Sequence, residues 1–361
     1  MWTRRRAGTI VDMSQSTRFT WLVCDAGGTN CTFALVAQED RRFRIQARTR
    51  YESRTITDFS AVMEEALQAL LRETRAEAIA GGCISAAGPV HDGSVTLTNT
   101  SWSIHEREIS TRLDVPVHLV NDLTAIGYAL PLVHRADSEQ CVSVWNATPA
   151  RTLPVVEAVA AAGTGLGVAI ACELPGHGLT VLPSEGGHTD LIGFDEETRQ
   201  FQHFVESTAD ERPDAEMYAS GKGLRHAAAF VIAKGGFQHG AAKEILSADP
   251  LDYPAIVSRH AATDSDAASA MRLFAKMYGR FAAGLALSVL PYGGLFLAGG
   301  VTARNLDAIV SNGFLDGYFS HPHESMQTAL RRVPVYALRS YDISLVGAAH
   351  AAYLAHQEET P

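Results

Sequence analysis

The sequence predicts an α/β protein, because strand-like apolar segments alternate with segments whose apolar residues recur at helical spacing. A unit of strand, glycine turn and strand occurs at residues 20–36 and again, with different letters, at residues 155–172. The 361 residues are enough for two domains that each have a core. Repetition of one architectural unit is therefore the main organising feature of the chain.

In the first part of the chain, short apolar and β-branched runs bounded by glycine or polar residues predict strands. These strands are expected at residues 20–24, 31–36, 42–50, 79–85, 94–98 and 116–120. Helices are expected at Thr57 to Leu71 with Asp58 near the cap, at residues 105–113, and from Asn121-Asp122 onward. His91-Asp92-Gly93 predicts a tight turn. Periodicity fades at residues 133–153, which predicts a loop or a domain boundary.

The second part of the chain is predicted to be richer in helix. Strands are expected at residues 155–162, 166–172, 295–298 and 333–338. Residues 195–290 are expected to be mostly helical, with the longest helix at 264–290, and a helix rich in small residues is expected at 344–356.

Composition excludes several classes of function. A net charge of -10 without a Lys/Arg block argues against nonspecific nucleic-acid binding. No apolar run reaches the length of a membrane span. The five separated cysteines, without a CxxC pair, predict reduced thiols in a cytoplasmic protein. Residues 1–19 carry Arg4-Arg5-Arg6 without a following apolar segment, so we expect a disordered N-terminal extension and no signal peptide.

Three glycine turns follow apolar strands, at Asp25 to Asn30, Ala162 to Gly165 and Ala298 to Gly300. Glycine lets backbone N–H groups face an open concavity, which is what phosphate binding requires. One such turn alone is weak evidence, whereas three after strands predict a phosphate-binding protein. Gly221-Lys222 does not complete a P-loop.

Several polar residues next to these turns have both a chemical and a structural interpretation. Asp25 can organise Mg²⁺ through water or cap its own turn. Asn121-Asp122 stands where a strand gives way to a helix and also fits a plain N-cap. Glu185-Gly186-Gly187-His188 also fits a polar turn, and its spacing does not predict zinc.

Taken together, these motifs resemble the bacterial-type glucokinases of the hexokinase/actin/Hsp70 ATPase superfamily, from about residue 20 to about residue 355. The resemblance rests on seven blocks in the family's order: Asp25-Ala26-Gly27-Gly28-Thr29-Asn30, Thr98-Asn99-Thr100-Ser101-Trp102, Asn121-Asp122-Leu123-Thr124-Ala125, Ala162 to Gly167, Pro183 to His188, Glu216 before Ser220-Gly221-Lys222-Gly223-Leu224, and Leu297 to Val301. Two departures are Cys24 and Ser184, where the family often has glycine.

The resemblance implies two actin-like (ribonuclease H-like) α/β domains flanking a hinged active-site cleft. It implies a small domain of residues 20–132 plus 341–361 and a large domain of residues 133–340. The implied reaction is transfer of the γ-phosphoryl of MgATP to the 6-hydroxyl of glucose, with Asp122 as general base. A cytoplasmic homodimer that acts in glycolysis, without nucleic-acid or membrane partners, is also implied.

The resemblance further implies which residues contact each ligand. The sugar would be held by Asn99, Asn121, Asp122, Glu185, His188 and Glu216. ATP would be held by Asp25, Gly27, Gly28, Thr29, Asn30, Gly163, Thr164, Gly165, Gly299 and Gly300, with Asp25 organising Mg²⁺.

Two alternatives stay open. The first is a kinase for another hexose, such as fructose, mannose or N-acetylmannosamine. The repressor/kinase relatives that include such enzymes usually have a Cys-rich zinc motif after the sugar-loop histidine, and no cysteine follows Cys172. The second is a sugar-sensing regulator, which needs a DNA-binding helix-turn-helix that the stretch before residue 20 is too short to hold.

Overall fold

The computed structural model describes residues 18–39, 42–97, 100, 102–311, 313–340 and 342–359. Its strands are β1 (Arg18–Ala26), β2 (Asn30–Glu39), β3 (Arg42–Glu52), β4 (Gly81–Ala86), β5 (Ser94–Thr96), β6 (Ser103–His105), β7 (Val117–Asn121), β8 (Cys141–Trp145), β9 (Val155–Ala162), β10 (Leu166–Leu174), β11 (Gly178–Ser184), β12 (Gly294–Ala298) and β13 (Val335–Leu338).

Its helices are α1 (Phe59–Thr74), α2 (Glu106–Leu113), α3 (Asp122–Ala129), α4 (Glu196–Thr208), α5 (Glu216–Ala219), α6 (Gly221–Ala233), α7 (Ala242–Ile245), α8 (Tyr253–His260), α9 (Ser265–Val289), α10 (Gly300–Arg304), α11 (Leu306–Ser311), α12 (Phe314–Tyr318), α13 (Glu324–Arg331) and α14 (Ile343–Glu359). Single 3₁₀ turns are found at Ser53–Thr55, Leu130–Leu132, Gly186–His188 and Pro250–Asp252.

The first sheet has the strand order β3-β2-β1-β4-β7. β2 pairs antiparallel with β1 and β3, whereas β4 is parallel to β1. Alternation along β1 sends Leu22 to the core beside α1 and Trp21 to the opposite face, where its ring meets Tyr353 of α14 edge-on. Asp58 caps α1 as predicted, accepting the Ala61 N–H at 2.9 Å.

The second sheet has the order β11-β10-β9-β12-β13-β8. Its three central strands, β9, β12 and β13, are parallel to one another, while β10, β11 and β8 are antiparallel to their neighbours. The 25-residue α9 is buried along much of its length, because it packs between this sheet and other helices. The Tyr278 hydroxyl of α9 donates to the Ala160 carbonyl of β9 at 2.7 Å, which ties the helix to the sheet.

The contacts divide the described chain into two units, one running up to Leu119 and resuming at Ala348, the other running from Val120 to Gly347. These limits differ from the predicted domain limits at residues 132 and 341. The reason is that α3 packs on the second sheet, where a Cβ at Gly127 would lie 2.5 Å from the Val181 side chain. The start of α14 then packs on α3, and a Cβ at Gly347 would lie 1.8 Å from the Ala125 carbonyl oxygen.

Most predicted elements are confirmed, with shifts at their ends. The turn at Asp92-Gly93 is also confirmed, with φ of 48° and 68°, although the partner of β5 is β6. The loop expected across residues 133–153 is wrong in part, because it contains β8, an edge strand with few buried positions. β11 and the helices between residues 300 and 331 were not predicted.

The remaining expectations concern the termini and the cysteines. β1 already begins at Arg18, so the predicted extension to residue 19 is too long, and residues 1–17 lie outside the described part. Each cysteine is a free thiol, and Cys24, Cys31, Cys83 and Cys141 are buried. Within the described residues, none of the helices combines the length and the hydropathy needed to span a bilayer.

A buried lysine links α4 to α9. Lys276 is 7% exposed, and its Nζ lies 3.0 Å from Glu197 Oε2 and also bonds the carboxylate of Asp195, the N-cap of α4. Arg272 bonds Glu197 through both terminal nitrogens, at 2.9 and 2.6 Å. Burial raises the pKa of Asp195 and of Glu197, but hydrogen bonds outweigh burial, so that each pKa is lowered. The bonds come from Lys276 and Thr198 to Asp195, and from Arg272 and Lys276 to Glu197.

We expect Lys276→Met to lower the free energy of unfolding by about 1–3 kcal/mol, less than for a fully buried pair because the carboxylates are partly exposed. Because the folded-state pKa values of the carboxyls are lowered, their stabilising effect is present above the unfolded pKa of about 4 and is lost as pH falls. Urea unfolding against pH measures both effects. Lys243→Met, at an exposed position, is the control. If the two variants had the same free energy of unfolding at every pH, the buried lysine would not stabilise the fold.

Candidate active site

The first glycine turn joins β1 to β2. Gly27 N–H donates to the Asn30 carbonyl at 3.0 Å, and Gly28 and Thr29 are exposed at the tip. Ser53, just after β3, stabilises the turn with two hydrogen bonds. Its hydroxyl donates to the Gly27 carbonyl at 2.6 Å, and its N–H donates to the Thr29 carbonyl at 2.9 Å. The turn is therefore a fixed loop with an open tip, as a phosphate site requires.

The Trp102 segment supports this turn indirectly. Trp102 Nε1 donates to the Ser53 carbonyl at 3.1 Å, and its ring stacks on Phe59 with centroids 5.1 Å apart. The predicted sugar contact Asn99, together with Thr98 and Ser101, lies outside the described residues.

The second and third glycine turns lie side by side, because β9 and β12 are neighbouring parallel strands. Gly163 N–H donates to the Gly165 carbonyl at 2.9 Å, which closes the second turn. Gly299 has a φ of +92°, and a Cβ there would lie 2.4 Å from the Ala162 carbonyl oxygen, so only glycine fits. The start of α6 joins them, since Gly221 N–H donates to the Gly163 carbonyl at 2.8 Å.

Asn121 and Asp122 lie at the junction of β7 and α3. The Asn121 amide oxygen caps α3, accepting the Leu123 N–H at 2.9 Å and the Thr124 N–H at 3.4 Å. Asp122 Oδ1 also accepts the Leu123 N–H, at 2.9 Å. The Leu123 side chain lies against Gly167, where a Cβ would be 2.7 Å away. The start of α3 therefore packs two residues beyond the second glycine turn.

The segment Glu185–His188 approaches the same strand. A Cβ at Gly187 would lie 1.7 Å from the Leu166 carbonyl oxygen, so the segment reaches β10 only because this residue is glycine. Ser184, one of the two departures from the family pattern, stabilises the turn: its hydroxyl accepts the Gly186 N–H at 3.1 Å. Glu185 and His188 are exposed on the turn.

Glu216 also contacts the second glycine turn. Its Oε2 accepts the Leu166 N–H at 3.1 Å, and its Oε1 lies 2.6 Å from Lys222 Nζ. The carboxylate is only 12% exposed. A Cβ at Gly165 would lie 2.6 Å from Oε2, so the contact depends on a glycine in the turn.

A histidine–carboxylate pair joins the Glu185–His188 turn to the segment before Glu216. His188 Nδ1 lies 2.7 Å from Asp214 Oδ2, and the Ala215 N–H donates to the Thr189 carbonyl at 2.8 Å. Asp214 raises the pKa of His188 above its usual value, and the carboxylates of Glu216 and Glu185 add to this effect. Three carboxylates and one imidazole thus form a polar cluster that can accept several hydrogen bonds from adjacent hydroxyl groups.

The structure therefore brings together Gly163, Gly165, Glu185, His188, Glu216, Gly299 and Gly300, with Asn121 and Asp122 on the helix packed beside them. Ser53, Asp214 and Lys222 also contact these residues and are not among the site residues predicted from the sequence. Lys222 belongs to the motif block that follows Glu216, but no site role is predicted for it, and Asp214 has one sequence signal, its position two residues before Glu216.

The chain is similar to known proteins over nearly its whole length. The glucokinase family profile matches residues 22–355. A glucokinase from Colwellia psychrerythraea is 30% identical over 94% of this chain and 98% of its own. The glucokinase crystal structure from an Antarctic psychrotroph has a TM-score of 0.78 and 25% identity, covering 93% of this chain and 99% of that one.

A more distant neighbour shows the fold alone. The glucokinase of the ROK family from Streptomyces griseus, solved with glucose and AMPPNP, has a TM-score of 0.61 at 20% identity, covering 93% of this chain and 99% of its own. These likenesses confirm the predicted actin-like α/β fold and the predicted enzyme class. The chain belongs to the glucokinase family of ATP-dependent hexose kinases.

Proposed function

We propose that this protein transfers the γ-phosphoryl of ATP to the 6-hydroxyl of glucose. The observation that carries the proposal is the polar cluster of Glu185, His188 and Glu216 beside the second glycine turn. Glu216 accepts the Leu166 N–H, and the turn that holds the other two residues approaches the Leu166 carbonyl oxygen at Gly187. A hydroxyl-binding cluster beside a phosphate-type loop suits a reaction between a sugar and a nucleotide. The Colwellia and Antarctic relatives are named glucokinases, and the Streptomyces neighbour was solved with glucose and AMPPNP.

ATP would be bound by the glycine turns. The backbone N–H groups at Gly27 to Asn30 and at Gly163 to Gly165 are proposed to contact phosphate oxygens, and Gly299-Gly300 the adenosine. Asp25 is half-buried at the end of β1, next to the exposed tip of the first turn, and its oxygen ligands suit Mg²⁺. Bound there, Mg²⁺ would neutralise charge on the phosphates.

The sugar would be held through its hydroxyl groups. Glu185 and Glu216 would accept from them, and His188 would accept or donate according to its protonation. Asn121 and Asn99 are proposed to complete these contacts. An analogue that lacks a hydroxyl group would leave a polar atom of such a site without a hydrogen bond. The site therefore discriminates strongly against that analogue.

Asp122 is proposed as the general base, accepting the proton of the 6-hydroxyl. Phosphoryl transfer passes through a loose transition state, so positioning of the hydroxyl and the ATP supplies much of the catalysis. A homodimer, a cytoplasmic location and a role in glycolysis remain predictions from the family resemblance.

Substrate choice tests the proposal directly. A coupled assay of ATP turnover with glucose, mannose, fructose and N-acetylmannosamine should give the highest kcat/KM for glucose. ATP turnover without a sugar, and with Asp122→Asn, sets the background. A higher kcat/KM for another hexose would replace glucose as the substrate, and no sugar-dependent turnover would refute the proposed function.

Replacing Asp122 separates chemistry from binding. Asp122→Asn keeps an oxygen that can accept the Leu123 N–H but cannot take a proton, so we expect kcat to fall about 10²–10⁴-fold. Glucose affinity, measured by calorimetry, should stay within about threefold of the wild-type value, because a hydrogen-bonding group remains. A variant with near-normal kcat would remove Asp122 from the role of base.

Gly165→Ala tests the role of Glu216. The new Cβ would lie 2.6 Å from Glu216 Oε2 and push the carboxylate off the Leu166 N–H. A flexible side chain can move at low cost, so stability should change little. Glucose affinity without nucleotide should fall about 10- to 100-fold, the equivalent of one hydrogen bond to a charged group.

The matched control is Gly163→Ala in the same turn, where the nearest atoms to a Cβ are 3.9 Å away. This variant should bind glucose as the wild type does in the absence of nucleotide. Equal glucose affinity for the two variants would show that the Glu216 carboxylate does not contact the sugar.

A further inference from the structure

The His188–Asp214 pair lies between the two candidate sugar-binding segments. His188 ends the Gly186–His188 turn, three residues after Glu185, and Asp214 lies two residues before Glu216. Nδ1 of the imidazole and Oδ2 of the carboxylate are 2.7 Å apart, a short distance for a charge-assisted bond. None of the seven motif blocks includes Asp214.

We propose that Asp214 is a positioning residue that orients the His188 ring for the sugar, an inference that rests on the proposed function. A carboxylate only accepts hydrogen bonds, so the Nδ1 nitrogen must carry a proton that it donates to Asp214. Nε2 is then the nitrogen that can meet a sugar hydroxyl, as acceptor in the neutral ring and as donor in the protonated ring. Without Asp214, the ring can adopt either tautomer and several orientations.

The surroundings of His188 are mostly acidic. Asp214 and Glu216 face it from the segment that starts α5, and Glu185 faces it from its own turn; all three raise its pKa, while partial burial lowers it. Lys222 is paired with Glu216, and Arg212 is paired with Asp190, with Nη2 2.9 Å from Oδ1. Removing the Asp214 charge should therefore bring the pKa of His188 back toward its usual value of about 6.5.

The His188–Asp214 pair contributes little to the stability of the fold. Its side chains are 53% and 30% exposed, and pairs as exposed as this add about 0–1 kcal/mol to stability. The Ala215–Thr189 backbone bond joins the same two segments without the Asp214 side chain. Asp214 Oδ1 also accepts the Met217 N–H at 3.3 Å, a bond that an asparagine can keep. Variants at Asp214 should therefore fold.

Steady-state kinetics of Asp214→Ala and Asp214→Asn test the proposal. Asp214→Ala should raise the KM for glucose about 10-fold, the equivalent of one hydrogen bond, and change kcat less than about threefold. Asp214→Asn should restore most of the affinity, because its amide oxygen accepts from Nδ1. Asp190→Asn, an exposed carboxylate bonded to Arg212, is the control and should behave as the wild type.

Two further measurements distinguish positioning from a structural role. In the His188→Gln background, Asp214→Ala should add no further rise in KM if it acts through the histidine. Histidine NMR from about pH 5.5 to about pH 9 should show the Nδ1–H form of His188 and a titration that moves to lower pH in Asp214→Asn.

An unchanged KM in Asp214→Ala, or an additive effect in the double variant, would overturn the proposal. The NMR result is independent of turnover. If the wild type does not phosphorylate glucose, the proposed function fails, while a His188 tautomer and titration that do not depend on Asp214 would refute the pair itself.

Discussion

The backbone of Leu166 is the point on which the sugar side of the candidate site depends. Its N–H is bonded to Glu216, and its carbonyl oxygen lies against Gly187. Because Leu166 is the first residue of β10, both contacts are fixed to the strand that follows the glycine turn. The polar cluster is therefore attached to the main chain of Leu166 at two points, by the Glu216 carboxylate and by the close approach of Gly187.

Close approach explains which glycines are needed and why. A Cβ at Gly187 or Gly165 would displace a contact of Leu166, whereas a Cβ at Gly163 would meet no atom closer than 3.9 Å. Gly163 is therefore free of that packing constraint, and its glycine is best explained by the approach of a ligand to the turn. Within one turn, Gly165 is therefore needed for packing, whereas Gly163 leaves room for a ligand.

The order of elements and the family could be predicted from the sequence, because strand-like runs, glycine turns and caps are local signals. Asp58, for example, both precedes an apolar helical pattern and caps α1. β8 could not be predicted, since an edge strand buries few residues and has a weak alternation. Asn121 shows that two interpretations can coexist: it is an N-cap, and it remains a candidate sugar contact.

Contacts between distant segments were the harder part of the site to predict. Glu216 and His188 were found through motifs, but the bonds that hold them join residues far apart in sequence, Glu216 to Leu166 and His188 to Asp214. Ser53 was missed for the same reason, since its bond to Gly27 spans two strands of the first sheet. Such partners have no fixed spacing and become visible only once the chain is folded.

A crystal structure with glucose and a non-hydrolysable ATP analogue would locate the sugar relative to Asp122 and the polar cluster. The proposed mechanism requires glucose between Glu185, His188 and Glu216, with an Asp122 carboxylate oxygen about 2.6–3.2 Å from the 6-hydroxyl. Glucose bound elsewhere, or an Asp122 carboxylate directed away from the 6-hydroxyl, would contradict it.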